Sequence, residues 1–464
     1  MSTILISGGR IIDPSQEIDF KGSILIKNGI VDSCFREGHE FPIDNDTEIV
    51  NANGLVVTPG FIDLHTHLRE PGSEQKETIA SGSLAAVRGG FTTICPMPNT
   101  SPPMDNPDVI NRVLESAKEI GICRVLPIAS VTVGRQGNEL SDMIGLSKIG
   151  VIGFSDDGDP VSNPHIMRAA LKYSRAVGLP IINHCQDLSI SNQGVMNEGT
   201  VSHRLGLLGM PISAESTMAA RDIELLESTK GKLHLAHISA RRTLELIQDA
   251  KSRGLCLTAE VTPHHLLLTE NWVLGKPMRQ LPPSKTVSPI DWVSLEAFDT
   301  QAKVNPPLRT ISDTEFLVSG LRDGSIDAIA TDHAPHRNED KATTFQDAAF
   351  GISGLETAFG LLMTLVHNDL LDLSTLVKRL TVGPAQILGA RHGSLGTLKP
   401  GSVADVTVLN PNTTWEVDST LFASRGRNTP LEGMVLKGKV VLTLYKGAVV
   451  YRDEINLKDD HVSS

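Results

Sequence analysis

Along the first sixty residues, short aliphatic and β-branched runs alternate with Gly, Asn and Asp. Ile4–Ile6, Ser23–Lys27 and Glu48–Val57 have the pattern of strands bounded by turn residues. The last seventy residues repeat it at Ala404–Leu409, Thr414–Val417 and Met434–Tyr451, where Lys-Gly twice interrupts a β-branched run. Two strand-rich ends around a different middle predict one small β-sandwich domain built from both chain termini, residues 1–56 and 391–464.

In residues 57–390 the period changes. Apolar strand candidates at Gly60–His65, Phe91–Cys95, Arg124–Ser130, Val151–Ser155, Leu179–Asn183, Lys232–His237, Cys256–Val261 and Ile326–Thr331 alternate with helical stretches. Asn106–Ile120, His165–Ala176, Ala214–Thr229, Ser239–Arg253 and Thr314–Arg322 carry apolar residues at helical spacing. Repeated βα units imply a parallel sheet, and eight of them predict an α/β architecture of the (β/α)8 TIM-like barrel type. The alternative, a doubly wound open sheet, lacks the GxGxxG turn that often opens one. One stretch fits neither. Between Leu268 and Asn305 the chain runs through Asn-Trp, Gly-Lys-Pro, Leu-Pro-Pro-Ser and Ser-Pro-Ile with little periodicity, and loops that long are usually functional or mobile.

Composition narrows the function classes. A chain of 464 residues with 40% hydrophobic and 21% charged residues can bury a large core, which excludes disorder as its main state. Lys and Arg total 42 against 54 Asp and Glu, no basic run occurs, and aromatics make up only 4%, so a nucleic-acid partner is not expected. The five cysteines, Cys34, Cys95, Cys123, Cys185 and Cys256, are scattered without a CxxC and suit a reducing compartment. The opening apolar run is too short for a signal peptide, and no stretch approaches the roughly 18 apolar residues of a membrane span. A cytoplasmic protein with no membrane partner is expected.

Chemistry gathers where strands stop. In Gly60-Phe-Ile-Asp-Leu-His-Thr-His-Leu-Arg-Glu-Pro-Gly72, strand alternation puts His65 and His67 on one side, half of a divalent-metal site. Either histidine alone is no more than a polar strand end. Three later strand ends change that: Leu179-Pro-Ile-Ile-Asn-His184, Leu233-His-Leu-Ala-His237 and Ile326-Asp-Ala-Ile-Ala-Thr-Asp332, the last followed by His333-Ala-Pro-His336. Ser239 is placed to cap the helix after His237. Metal-competent residues recurring at strand ends are what a site on the top face of a barrel requires. The fourth strand ends Ser155-Asp-Asp-Gly158, so Asp156 or Asp157 could bridge two cations, and spacing does not choose between them. Such a site lowers the pKa of water from 15.7 to about 7 and polarises a carbonyl. Asp332 suits the proton carrier between the attacking water and a leaving nitrogen. The residues therefore point to metal-dependent hydrolysis of a C–N bond, with phosphoesters the less natural substrate.

The segments Phe61–Gly72 and Ala330–His336 resemble the two signatures of dihydroorotases in the amidohydrolase superfamily. Met97-Pro-Asn-Thr100, Phe154–Gly158, Asn183-His-Cys185, Ala259–His265, Val304–Arg309 and Phe350-Gly351 support the resemblance in order along the chain. It implies reversible hydrolysis of (S)-dihydroorotate to N-carbamoyl-L-aspartate in pyrimidine biosynthesis, with two Zn2+ per subunit. By motif, His65, His67 and Asp332 resemble the ligands of one zinc, His184 and His237 those of the other, and Asp157 the bridge. Asp332 matches the catalytic base and acid. Arg69, Asn99, Asn305 and His336 match substrate-holding groups, and Phe350 and Gly351 the backbone that closes over the substrate. Related hydantoinases and allantoinases bridge their metals with a carbamylated lysine at the end of strand four, where this chain has none. The 272–300 region also looks longer than the family's usual connection. The rival readings are a hydantoinase- or allantoinase-like cyclic amidase and an inactive scaffold for aspartate transcarbamoylase. A homodimer and a transcarbamoylase complex stay open as assembly states.

Overall fold

In the computed structural model, residues 3–38, 46–275 and 297–455 are described. The N-terminal part supplies β1 (Thr3–Asp13), β2 (Ile18–Lys27), β3 (Ile30–Arg36), β4 (Thr47–Asn51) and β5 (Val56–Pro59). The middle supplies β6 (Phe61–Thr66), β7 (Phe91–Pro96), β8 (Arg124–Val125), β9 (Ile181–Asn183), the two-residue β10 (Met196–Asn197) and β11 (Gly209–Met210), β12 (Leu233–Leu235), β13 (Leu257–Val261) and β14 (Ala328–Ile329). The C-terminal part adds β15 (Val406–Glu416), β16 (Val435–Tyr445) and β17 (Ala448–Arg452).

Both termini share one sheet, in the order β17-β16-β15-β5-β1-β2-β3, with β4 on β1. The seam is β5, which pairs parallel with β1 and antiparallel with β15. Ile4, Ile6, Ile11, Ile24, Ile26 and Val50 from one terminus pack with Val406, Val408, Val441 and Leu444 from the other. Buried Asp13 adds a polar tie, accepting from the Leu398 amide at 2.7 Å and the Thr397 hydroxyl at 3.0 Å. The expected split of Thr414–Val417 from Ala404–Leu409 is instead one strand with irregular register, and β3 went unforeseen.

In the middle, β6, β7 and β8 pair in parallel, as do β9, β12, β13 and β14. Single bridges join the two sets: Ala129 to Phe154, Phe154 to Ile181, and Thr66 to His333. Residues 151–155 take the place of the expected fourth strand, but only through Phe154. Prolines explain the shortening: Pro127 and Pro180 have no N–H to donate, so they can only accept, from Ile152 at 3.1 Å and Phe154 at 3.1 Å. Helices alternate with these strands. Two of them, Pro107–Ile120 and Pro164–Val177, begin with a proline behind an asparagine whose side chain caps the first turn. Among the described residues, no helix is long and apolar enough to cross a membrane. The Leu268–Asn305 stretch lies partly outside the described residues, from 276 to 296; its flanks are single turns at Glu270–Leu274 and Thr300–Ala302.

One tie fixes where β6 ends relative to β14. Buried Asp63 accepts from the Thr331 amide at 3.0 Å, the Thr331 hydroxyl at 2.5 Å and the His65 amide at 3.1 Å. Asp63→Ala strands all three donors in the core. It should cost about 2–4 kcal/mol, seen as a lower urea midpoint at unchanged slope; an unmoved midpoint would show that these bonds do not hold the strand ends together.

Candidate metal centre

His65, His67, Asp157, His184, His237 and Asp332 converge in one buried cluster at the C-terminal ends of the parallel strands. Three of the four rings are aimed by a second partner. His65 Nδ1 lies 2.9 Å from Glu260 Oε1, and His67 Nδ1 lies 3.0 Å from Asn99 Oδ1. His184 Nε2 lies 3.0 Å from Gln186 Oε1. A carboxylate or amide oxygen only accepts, so these nitrogens donate, and in the neutral rings the opposite nitrogens are lone pairs.

Those lone pairs face carboxylates. His65 Nε2 is buried without a hydrogen bond, 3.4 Å from Asp157 Oδ2 and 3.6 Å from Asp332 Oδ1. His67 Nε2 is 3.0 Å from Asp332 Oδ1 and 3.6 Å from Asp157 Oδ2. On the other side, His184 Nδ1 and His237 Nε2 are 2.9 Å apart, and Asp157 Oδ1 is 3.7 Å and 3.4 Å from them. Asp157 thus turns one oxygen to His65 and His67 and the other to His184 and His237. Ligand atoms of His65, His67 and Asp332 lie within 4.8 Å of one another, as do those of His65, Asp157 and His237. Lone pairs and carboxylates meeting out of water repel unless positive charge lies between them, which two divalent cations would supply.

The electrostatics carry the same demand. Burial works against the charged form of His65, but the facing Asp157, Glu260 and Asp332 carboxylates overcome it and hold its pKa well above the usual value. Burial likewise opposes ionised Asp157 and Asp332, and the imidazoles hold both well below the carboxylate range. His67 and His184 are pushed down, chiefly by burial. Backbone strain marks the same places: His237 has φ of 31° and Asp332 of 47°, both in the left-handed region that non-glycine residues avoid.

The pair Asp156 and Asp157 divides its work. Asp156 turns away, accepting from the Thr132 amide at 3.1 Å and hydroxyl at 2.5 Å. Arg135 clamps the turn by donating to the carbonyls of both aspartates, at 3.1 Å and 2.7 Å through Nη2.

The residues matched to substrate contacts sit around this cluster. Arg69, with φ of 60°, donates to the Pro335 carbonyl at 3.4 Å; burial lowers its pKa to about 10, against the pull of Asp332 and Asp157. Asn305 donates to Gln186 Oε1 at 2.8 Å, while its own Oδ1 is buried without a partner, an acceptor still open. Asn99 has Oδ1 committed to His67. His336 Nε2 lies 2.8 Å from the Phe350 carbonyl, and the Gly351 amide donates to the Lys303 carbonyl at 2.9 Å. Gly351 has φ of 140°, and a Cβ there would come within 2.7 Å of the Ala334 carbonyl, so only glycine fits.

Some supports were not foreseen. Glu260 joins His65 to His234, whose Nε2 is 3.1 Å from Glu260 Oε2, and its pKa falls to about 2 because both histidines outweigh burial. A carboxylate in the otherwise apolar run Cys256–Val261 was its one signal. Ser239 does not cap the following helix, which starts at Arg241 behind Ala240 without a side-chain cap. Its hydroxyl donates instead to buried Glu215 and accepts from Arg309 Nε at 3.0 Å. Arg309, fully buried, also donates to Asn197 Oδ1 and the Met210 carbonyl, fastening the chain just beyond His237.

The chain resembles known proteins over nearly its whole length. Residues 54–243 match the family described as dihydro-orotase-like. A dihydroorotase of Syntrophus aciditrophicus is 46% identical over 97% of this chain and 100% of its own, and one of Geobacter metallireducens is 45% identical over 97% and 99%. Among solved structures, dihydropyrimidinase from Brevibacillus agri aligns with a TM-score of 0.78 at 20% identity, covering 97% of this chain and 95% of that one. L-hydantoinase from Arthrobacter aurescens aligns with a TM-score of 0.78 at 24% identity, covering 97% and 96%. The chain shares their fold.

The geometry separates neighbouring carboxylates. Purified Asp157→Ala should lose at least one bound metal equivalent by elemental analysis, whereas Asp156→Ala should keep its metals; the reverse would exchange their roles. Glu260→Gln should weaken metal affinity roughly 10- to 100-fold in chelator competition, the usual scale for a group that orients a ligating histidine. Unchanged affinity would make Glu260 a purely structural acid.

Proposed function

We infer the reaction from one premise: the chain belongs to the dihydroorotase family. It is a cyclic amide hydrolase, and we propose that it interconverts (S)-dihydroorotate and N-carbamoyl-L-aspartate in pyrimidine biosynthesis. The observation that carries this reading is Asp157 set between two pairs of imidazoles, with Asp332 and Arg69 on the same rim. The accompanying fold reading is a (β/α)8 barrel joined to a β-sandwich of both termini. It rests on the eight parallel segments whose pairings and bridges lead from β6 back to β6. Five scattered cysteines, three of them buried and none in a disulfide, suit a cytoplasmic setting.

In this reading His65, His67 and Asp332 would hold one cation, His184 and His237 the other, with Asp157 shared between them. Two zinc ions there would supply Lewis acidity, which brings the pKa of water to about 7. The side chains do the rest. The Arg69 guanidinium pairs with the substrate carboxylate. Asn305 Oδ1 accepts from a ring N–H. Asp332 takes the proton of the attacking water on a carboxylate oxygen and returns it to the ring nitrogen as the C–N bond opens; the reverse order closes the ring. An aspartate at the bridging position and Arg69 beside it favour dihydroorotate over the hydantoin-like rings of the structural neighbours. The convergence of all six ligating side chains favours an enzyme over an inactive scaffold.

Two substitutions test the assignment. Asp332→Asn should be at least about a hundredfold slower, the scale of a lost general acid–base; full activity would remove Asp332 from proton transfer. Arg69→Met should keep its metals yet lose roughly 3–5 kcal/mol of transition-state binding for dihydroorotate. The check is kcat/KM for dihydroorotate beside that for uncharged 5,6-dihydrouracil. A wild type that prefers dihydrouracil, or a variant that keeps dihydroorotate turnover, would overturn the substrate.

A further inference from the structure

Next to the substrate residues lies a contact that the reaction as described leaves unused. Lys76 Nζ is 3.4 Å from His336 Nδ1 and 3.2 Å from Asp340 Oδ2. The other ring nitrogen, Nε2, faces the Phe350 carbonyl at 2.8 Å, and a carbonyl only accepts. In the neutral ring the proton therefore sits on Nε2 and Nδ1 is a lone pair, which an ammonium, a donor only, can satisfy. His336 is fixed at its backbone as well, its amide donating to Asn428 Oδ1 at 2.8 Å. The same asparagine donates to the Ala334 and Gly351 carbonyls, each at 3.0 Å. The segment His336, Phe350 and Gly351 is thus one hydrogen-bonded unit with Lys76 at its outer end.

We propose that Lys76 is a positioning residue for the substrate: it keeps the proton of the neutral His336 ring on Nε2, and through that proton fixes the Phe350–Gly351 backbone. The inference rests on the placing of His336, Phe350 and Gly351 at the substrate given above. Without the ammonium, His336 Nδ1 is left 3.8 Å from the Asp340 carboxylate. That carboxylate only accepts, and so favours the ring proton on Nδ1. A charged ring is opposed by burial first and then by Arg69, Lys76 and Lys341, which hold the His336 pKa down near 3. Burial, Arg69 and Lys341 still keep the ring neutral when Lys76 is lost, but with no donor at Nδ1 the proton can move there and donate toward Asp340. In that Nδ1–H tautomer Nε2 is a lone pair against the Phe350 carbonyl, so the ring is no longer tied to one orientation and the carbonyl loses its donor.

The test compares Lys76→Met and Lys76→Arg in the metal-loaded full chain. Lys76→Met should raise KM for dihydroorotate about tenfold or more, leave kcat within about threefold at pH 8, and keep the metal content of the wild type. Lys76→Arg, which retains the charge, should stay close to the wild type on each count. Nitrogen-15 histidine spectra at pH 6.5, with the His336 signals identified by their loss in His336→Gln, should show a neutral Nε2–H ring in the wild type and a neutral ring with its proton moved at least in part to Nδ1 in Lys76→Met. Unchanged KM, an unchanged His336 tautomer, or loss of metal in Lys76→Met would each overturn the proposal. If Lys76→Met does not fold, Lys76→Gln carries the same comparison. A wild type inert toward dihydroorotate would refute the reaction instead, and the spectra would still decide the role of Lys76.

Discussion

The site is organised by a shortage of positive charge. Asp157, Asp332 and Glu260 are buried carboxylates crowded against four imidazoles, three of which already spend one nitrogen on an acceptor. Burying such anions costs several kcal/mol each unless cations compensate them. Protons on the histidines can do this in part, as the raised pKa of His65 shows. Metal ions do it while leaving each imidazole neutral. The orienting bonds from Glu260, Asn99 and Gln186 have a purpose only in that light: each turns one lone pair inward, so the cavity is shaped for cations rather than for hydrogen bonds among its own groups.

The fold supplies what holds those charges together against repulsion. Strand alternation delivers His65 and His67 to one side, and Asp63 locks the end of their strand to Thr331, next to Asp332. Arg309 and Glu215 secure the chain past His237. Arg135 clamps the turn that carries Asp157. The left-handed backbone at His237 and Asp332 is the cost of this convergence, and these fastenings hold it in place.

The strand ends were legible because parity and position carry chemistry: a histidine or aspartate closing an apolar run has one natural direction to point. The helices at 107–120 and 164–177 were legible from their period, and their asparagine caps and leading prolines account for the observed starts. The fourth strand was overestimated because Pro127 and Pro180 lie in its neighbours, where their effect is on pairing rather than on the run itself. Spacing left Asp156 and Asp157 equivalent and only the resemblance preferred Asp157; the physical reason is Thr132, far away in sequence, which claims Asp156. Ser239 looked like a cap because local pattern cannot reveal a buried Glu215–Arg309 pair competing for its hydroxyl. Glu260 was visible only as an acid out of place in an apolar strand.

The central claim, that one aspartate joins two cation sites, is most directly tested by anomalous diffraction from crystals of the full chain, recorded on both sides of the zinc absorption edge. The account predicts two anomalous peaks, one among His65, His67 and Asp332 and the other beside His184 and His237, with one Asp157 oxygen at each. No peak, or two peaks with Asp157 bound to neither, would contradict it.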